Sequence, residues 1–263
     1  MSKVMNKDHT FVVLAYGESV YLPKCLESLL EQTVSSNIVI ATSTDNDYIR
    51  GLAEKYHLPV VVNSNSSGIA GDFDFGLQTG KTEFVTIAHQ DDTYEPEYLE
   101  EISKHLDEGT IIAFSNYYEE HPTGVQYKNR NLKIKRLLLS PLRFRIFQKN
   151  RWIRRRILSL GNPICCPAVT FHKSRTGEKI FQSDFRSNMD WKAWELLSGK
   201  KGKFVYVAKP LMMHRIHEES TTSEVIRENK RSEEDYRIMC LFWPSWIAKI
   251  LAKLYAKSEN NNC

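Results

Sequence analysis

Cysteine is sparse in this chain and never paired. Five occur in 263 residues, Cys25, Cys165, Cys166, Cys240 and Cys263, with no Cys-x-x-Cys among them. That pattern excludes a zinc ribbon and gives no disulfide framework, and it fits a reducing compartment such as the cytoplasm. No run of about 18 apolar residues occurs, so no membrane-spanning helix is expected. No stretch near the start combines charge, an apolar core and small residues in the order of a signal peptide. Internal repeats and long linkers are also missing. What remains is an apolar content of 41% with 11% aromatics, enough for a real core.

Acidic residues are absent from one long stretch. Residues 128–156 contain twelve Lys or Arg and no Asp or Glu. The rest of the chain holds 24 of the 36 basic residues against all 32 acidic ones, so a net charge of +4 conceals a balance of −8 outside that segment. An acidic body with one basic segment predicts an anionic surface or polyanion as partner.

Apolar β-branched runs alternate with helical patterns. Strands are expected at 10–16, 37–41, 59–63 and 84–88. Between them lie helices from Leu22 onward, from Tyr48 to Tyr56 and from Gly71 to Thr79. Four such alternations with short connections predict βαβ units and a parallel sheet. The loops Tyr16 to Glu18, Ser43 to Asp47 and His89 to Asp92 then meet at one crevice, at the carboxyl ends of the strands. Farther on, a helix is expected at 96–106, strands at 110–115, 168–172 and 204–207, and a helix at 189–198. His214 to His217 reads as a polar loop, 222–236 as a charged helix and 237–256 as an apolar-basic tail.

The stretch Phe84-Val85-Thr86-Ile87-Ala88-His89-Gln90-Asp91-Asp92 organises the rest. An unpaired carboxylate is costly to bury, and here two of them end a buried strand. Such oxygen ligands suit Mg²⁺ or Mn²⁺ shared with phosphate. Capping of the next helix, signalled by Pro96-Glu97, accounts for the two carboxylates equally well.

Several stretches over residues 10–222 together resemble the family 2 glycosyltransferases, inverting nucleotide-sugar enzymes of the GT-A fold. The opening strand and the run Cys25-Leu26-Glu27-Ser28-Leu29-Leu30-Glu31-Gln32-Thr33 carry part of the likeness. Gly68-Ile69-Ala70-Gly71 through Gly76-Leu77 resembles the helix before the metal strand. His89-Gln90-Asp91-Asp92 falls at the family's Asp-x-Asp-Asp motif, and Met189-Asp190 and His217 fall at its later acidic and histidine positions. Two departures stand out: His89 replaces the first acid, and strand two ends in Ile40-Ala41-Thr42, without the family's base-holding acid.

The resemblance implies an α/β fold of GT-A type and a metal, Mn²⁺ or Mg²⁺, held by Asp91 and His217. It implies a nucleoside-diphosphate sugar, most readily UDP-linked, at Ala15, Tyr16, Glu18, Thr42, Ser43, Asp45, Gly71, Asp72, His89, Gln90, Asp92 and Arg215. Asp190 takes the place of the catalytic base, although a helix-capping role suits it almost as well. Cation and donor groups would offset the charge that gathers on the leaving diphosphate. A nucleotidyltransferase would want a basic, glycine-rich loop where Tyr16-Gly17-Glu18-Ser19 stands. A membrane-surface or polyanion-binding protein on a degenerate transferase fold is the non-enzymatic alternative.

In the basic segment, apolar residues such as Leu137, Phe144, Trp152 and Ile157 interleave with the charges. The tail repeats the theme with lysines at 249, 253 and 257. No nucleic-acid recognition motif accompanies them, and the mixture suits a helix in an anionic membrane interface. The chain is therefore divided into a transferase domain, 1–222, including the amphipathic segment 128–158, and a helical extension, 223–263. The expected setting is the inner membrane face of a bacterium, with a lipid-linked glycan as acceptor for capsule, exopolysaccharide or another surface glycan.

Overall fold

The computed structural model describes residues 4–65, 68–181, 184–217 and 231–260. Four apolar runs become the strands β1 (Val4–Ala15), β2 (Val34–Thr42), β3 (Val60–Val62) and β4 (Phe84–His89). The connections are α1 (Leu22–Leu30), α2 (Asp47–Tyr56) and α3 (Ile69–Thr79). Pro23 sits in the first turn of α1, whose Leu22, Cys25, Leu26 and Leu29 are buried. Asn46 starts α2 by accepting the Ile49 N–H at 2.8 Å. A Cβ on Gly76 would meet Leu14 at 2.9 Å, so the glycine lets α3 lie close against β1.

The sheet is mixed, which the strand–helix alternation did not indicate. Further strands are β5 (Thr93–Tyr94), β6 (Thr110–His121), β7 (Gly124–Gln126), β8 (Val169–His172) and β9 (Lys203–Arg215). The order is β3-β2-β1-β4-β8-β6-β9-β5, with β7 on β6. β1 to β4 run parallel, whereas β8 is inserted antiparallel between β4 and β6. Parallel pairing returns between β6 and β9. Leu14 pairs with His89 and Ala15 with Thr42, so the carboxyl ends of β1, β2 and β4 share one edge.

Each face of the sheet carries a core. One packs Phe11, Leu26, Ile49, Tyr94 and Tyr98. The hydroxyls of Tyr94 and Tyr98 donate to the carbonyls of Pro167 and Ala168 at 2.7 and 3.0 Å, which satisfies their polar ends. The other face packs Phe73, Phe171, Phe181 and Trp194, with Phe171 and Trp194 stacked at 5.8 Å. After β8 comes the single turn α8 (Lys173–Thr176), and α9 (Met189–Ser198) brings Trp191 and Trp194 to this side. The helices Arg231–Met239 and Ser245–Asn260 bury Ile238, Met239, Ala248 and Ala252 in the same core, so the extension is anchored there. Of the expected helix 222–236, the part before Arg231 lies outside the described residues.

The basic segment is not one helix. It folds as α5 (Arg130–Leu139), a 3-10 turn at Ser140–Arg143, the single turn α6 (Arg145–Gln148) and α7 (Arg151–Leu158). Pro141 opens the 3-10 turn, and Asn150 restarts the helix by accepting the Ile153 N–H. Several of its cations are spent internally. Arg154 is buried, donates to the carbonyls of Lys200 and Gly202, and stacks on Phe204. Arg155 pairs with Glu195 at 2.6 Å, and Arg136 donates to Asn116 and to the Tyr117 carbonyl. Among the described residues no helix is long and apolar enough to cross a membrane.

Candidate functional site

β4 ends one residue later than the apolar run implies, so His89 is its last residue. The chain then turns through Gln90 and Asp91 to Asp92, whose N–H donates to the His89 carbonyl. His89, Asp91 and Asp92 offer ligand atoms that all lie within 4.8 Å of one another. The turn is not a helix cap: the next helix, α4 (Tyr98–Ser103), starts at Glu97 with no side-chain cap.

The second wall comes from β9, where a polar loop was expected around His214 and Arg215. The strand runs through both residues, paired with β6 at Glu119↔His214 and Glu120↔Arg215. It sets His214 Nδ1 3.0 Å from Asp92 Oδ1, and the Arg215 N–H donates to that same oxygen at 2.9 Å. His217 Nε2 follows at 3.0 Å from Asp91 Oδ2. Arg215 Nε donates to the Asp91 carbonyl at 3.0 Å, its guanidinium pairs with Glu120, and it stacks on Tyr21 at 4.4 Å. Arg215 thus spends part of its donor fork on holding the Asp91-Asp92 corner.

Two histidines here are tuned in opposite directions. Burial lowers the His89 pKa to about 4; Asp91 opposes this and His214 adds to it. Burial also pulls the His214 pKa down, but Asp92, by charge and hydrogen bond, then Asp91 and Glu119, carry it above the ordinary value. His214 and the Arg215 N–H both meet the Asp92 carboxylate at one oxygen, Oδ1. Asp92 is fully buried, and among the described residues its Oδ2 has no hydrogen-bond partner; nor has His89 Nε2. Two orphaned buried atoms beside Asp91, one carboxylate oxygen and one imidazole nitrogen, are a donor set that fits a divalent cation.

The nucleotide edge is polar and internally bonded. Ala15 is buried at the end of β1, whereas Tyr16 and Glu18 are exposed beyond it. The Tyr16 N–H donates to Gln90 Oε1 at 2.8 Å and that of Gly17 to Thr44 Oγ1 at 2.7 Å, which ties the three loops into one crevice. Thr42 is buried and its hydroxyl accepts from the Thr44 N–H. Asp45 makes a two-point pair with Arg50 at 2.7 and 2.8 Å, within its own loop and helix. Asp72, next to Gly71 in the first turn of α3, accepts from Ser43 at 2.9 Å and Asn63 at 2.8 Å. An acidic side chain therefore does stand at the exit of β2, but it comes from a later helix.

Asp190 lies in the first turn of α9 and does not cap it; Asn188 holds the cap position without a side-chain capping bond, its amide donating instead to Asp235 at 2.8 Å. Asp190 Oδ2 accepts from Asn162 at 2.8 Å, and Oδ1 from the Trp191 N–H at 2.6 Å. Burial pushes the Cys165 and Cys166 thiols well above their usual range, and Asp92 and Asp190 each add to the push on both. Thiols held so far up are poor nucleophiles.

Sequence reasoning left His214 undecided and did not single out Tyr21, Asn162 or Glu234. Glu234 accepts the N–H groups of Arg186, Ser187 and Asn188 at 2.7 to 3.1 Å, plus the Ser187 hydroxyl, just ahead of α9. Asn162, inside the Gly161–Pro167 turn, carried the one readable signal: a side-chain amide beside a glycine and a proline in a loop.

The profile of the family described as "Glycosyl transferase family 2" matches residues 10–172. A curated relative, Glycosyltransferase GlyA of Streptococcus pneumoniae, is 29% identical over 115 residues, covering 41% of this chain and 16% of its own. The curated relatives are matched over only 16% to 38% of their lengths, so the chain spans well under half of them. Among solved structures, S. aureus TarS 1–349 in complex with UDP-GlcNAc superposes with a TM-score of 0.59 at 18% identity, over 89% of this chain and 65% of that one. The mannosyltransferase PcManGT from Pyrobaculum calidifontis, in complex with GDP-Man and Mn²⁺, gives 0.61 at 13% identity, over 97% and 76%. The fold is of the GT-A type.

Proposed function

Because the chain belongs to glycosyl transferase family 2, we propose that it moves a sugar, with inversion, from a UDP-linked donor to a hydroxyl of a lipid-linked glycan. The observation that carries this reading is the His89, Asp91 and Asp92 cluster at the carboxyl end of β4, with its orphaned Nε2 and Oδ2 atoms. That is where open α/β sheets receive ligands.

Asp91 would hold a divalent cation, Mn²⁺ or Mg²⁺, with His89, Asp92 and His217 as neighbouring donors. Bound there, the cation supplies positive charge to the leaving diphosphate. Asp72, set by Ser43 and Asn63, would accept from the N3–H of uracil. Tyr16 would offer its ring at the same edge, and Glu18 would meet the ribose. Asp190 takes the proton of the incoming hydroxyl, and Asn162 fixes the carboxylate that receives it. Arg215 keeps the Asp91 carbonyl and the corner in place.

The basic, apolar-studded segment supports a peripheral position on the inner face of a bacterial membrane, in the synthesis of capsule, exopolysaccharide or another surface glycan. Leu137, Phe144, Ile146 and Trp152 are all exposed there. A thermal-shift screen of UDP- and GDP-sugars with and without Mn²⁺ tests the donor, because a bound ligand stabilises the folded state. Donor hydrolysis by wild type and Asp91→Asn follows. Equal turnover by both removes Asp91 from the mechanism. No nucleotide binding and no turnover favours the non-enzymatic, polyanion-binding alternative.

A further inference from the structure

A groove of about 220 Å³ runs between α5, the turn at 160–163 and the helix Ser245–Asn260. Its walls are apolar: Ile134 and Leu138 from α5, Leu160 from the turn, Leu251 and Leu254 from the last helix. Ile134, Leu160 and Leu254 are 42%, 47% and 60% exposed, so they form its open mouth. Half-buried polar groups of Asn131, Lys135, Asn162 and Tyr255 complete the lining. The lining borders the Asp190 site: Asn162 is the residue bonded to Asp190, and the Tyr255 ring lies 5.4 Å from that of Trp191. The backbone makes room for it. Gly161 has φ +149°, and a Cβ there would meet the Tyr255 ring at 2.9 Å.

The surroundings of the mouth have one sign of charge. Arg130, Lys133, Lys249 and Lys253 are exposed on the two flanking helices, and neither α5 nor the stretch 245–256 contains an acid. On the last helix Trp246, Ile250 and Leu254 recur every four residues and are 55–67% exposed, beside Lys249 and Lys253. An apolar stripe edged by lysines matches a surface of anionic lipid. A second copy docked through the same face would set like charges against each other.

We propose that this groove holds the apolar chain of an anionic membrane lipid that carries the acceptor sugar, so that the lipid's polar end reaches Asn162 and Asp190. The proposal rests on the glycosyl-transfer reading of Asp190 and adds where the acceptor enters. It assigns the basic segment and the last helix to one binding surface.

The test uses the full chain and decyl phosphate below its micelle concentration, with inorganic phosphate and decyl glucoside as controls. Leu160→Glu and Leu254→Glu alter the exposed mouth without opening the core. Decyl phosphate is expected to bind wild type, inorganic phosphate not at all and decyl glucoside more weakly. Each variant should weaken decyl phosphate binding about tenfold or more. Vesicles of phosphatidylglycerol and phosphatidylcholine should co-sediment wild type, those of phosphatidylcholine alone should not, and both variants should lose the difference. Unchanged binding by both variants overturns the proposal. So does a concentration-dependent dimer, seen by sedimentation, that the same substitutions dissolve. Thermal shifts with UDP-sugars, read in the same proteins, keep the two ideas separable: their absence sinks the donor reading and leaves the lipid binding to stand or fall by itself.

Discussion

His214 Nδ1 lies 3.0 Å from Asp92 Oδ1, joining the end of strand β9 to the corner after β4 across 122 residues. Asp92 has no exposure, so this contact and the Arg215 N–H are what pair its charge. Removing one partner of a buried charge costs more than the pair itself contributes. His214→Ala should therefore destabilise the fold by about 3 kcal/mol or more, read by urea denaturation. Retention of wild-type stability would mean that the corner is wetter than the structure indicates.

Asp91→Asn keeps the size of the side chain and removes its charge. Donor hydrolysis should fall roughly 100-fold or more, by analogy with the loss of one stabilising group around a developing anion. Mn²⁺ binding, followed by paramagnetic resonance of the ion, should weaken in parallel. A full Mn²⁺ signal in the variant would move the cation to other residues.

For Asp190→Asn the losses should separate. Transfer to an acceptor is expected to drop by about 10²–10⁴ in kcat, the usual range for a missing general base. UDP affinity should be unaffected, since Asp190 is bonded to Asn162 and to the Trp191 N–H at the start of α9. A loss of UDP binding equal to the loss of rate would make Asp190 structural.

Glu234 tests how the base is held. Its carboxylate gathers three backbone N–H groups and a hydroxyl before α9, and these bonds hold its pKa down against the opposing effect of burial. Glu234→Ala should cost about 2–3 kcal/mol of stability, because charge-assisted bonds are worth more than neutral ones. Glu234→Gln should recover part of it. A silent Glu234→Ala variant would show that the loop before α9 needs no anchor.

His9 sets an acid limit far from the site. Its ring is buried between Ser36 and Thr86, each at 2.8 Å, and burial lowers its pKa from 6.5 to about 3. Between those values the unfolded chain binds a proton that the folded chain refuses. Stability is therefore fully present above about pH 6.5 and falls toward pH 3, by about 1.4 kcal/mol per pH unit from this group. Denaturation midpoints between pH 7 and pH 4 should show the slope, and His9→Gln should flatten it. An equal slope in the variant would assign the acid sensitivity elsewhere.

The order of strands and helices to Asp92 was legible from the chain alone, because apolar periodicity is a local property that a buried sheet enforces. So was the carboxylate pair after β4, since charge at the end of an apolar strand is conspicuous in any context. The antiparallel insertion of β8, the full length of β9, the Asp72 carboxylate at the exit of β2, and the contacts of Asp190 with Asn162 and of Glu234 with the loop before α9 were not legible. Each joins polar groups far apart in the chain, with no period to announce them. Only when the backbone closes do desolvation and the need to satisfy buried donors and acceptors select those partners.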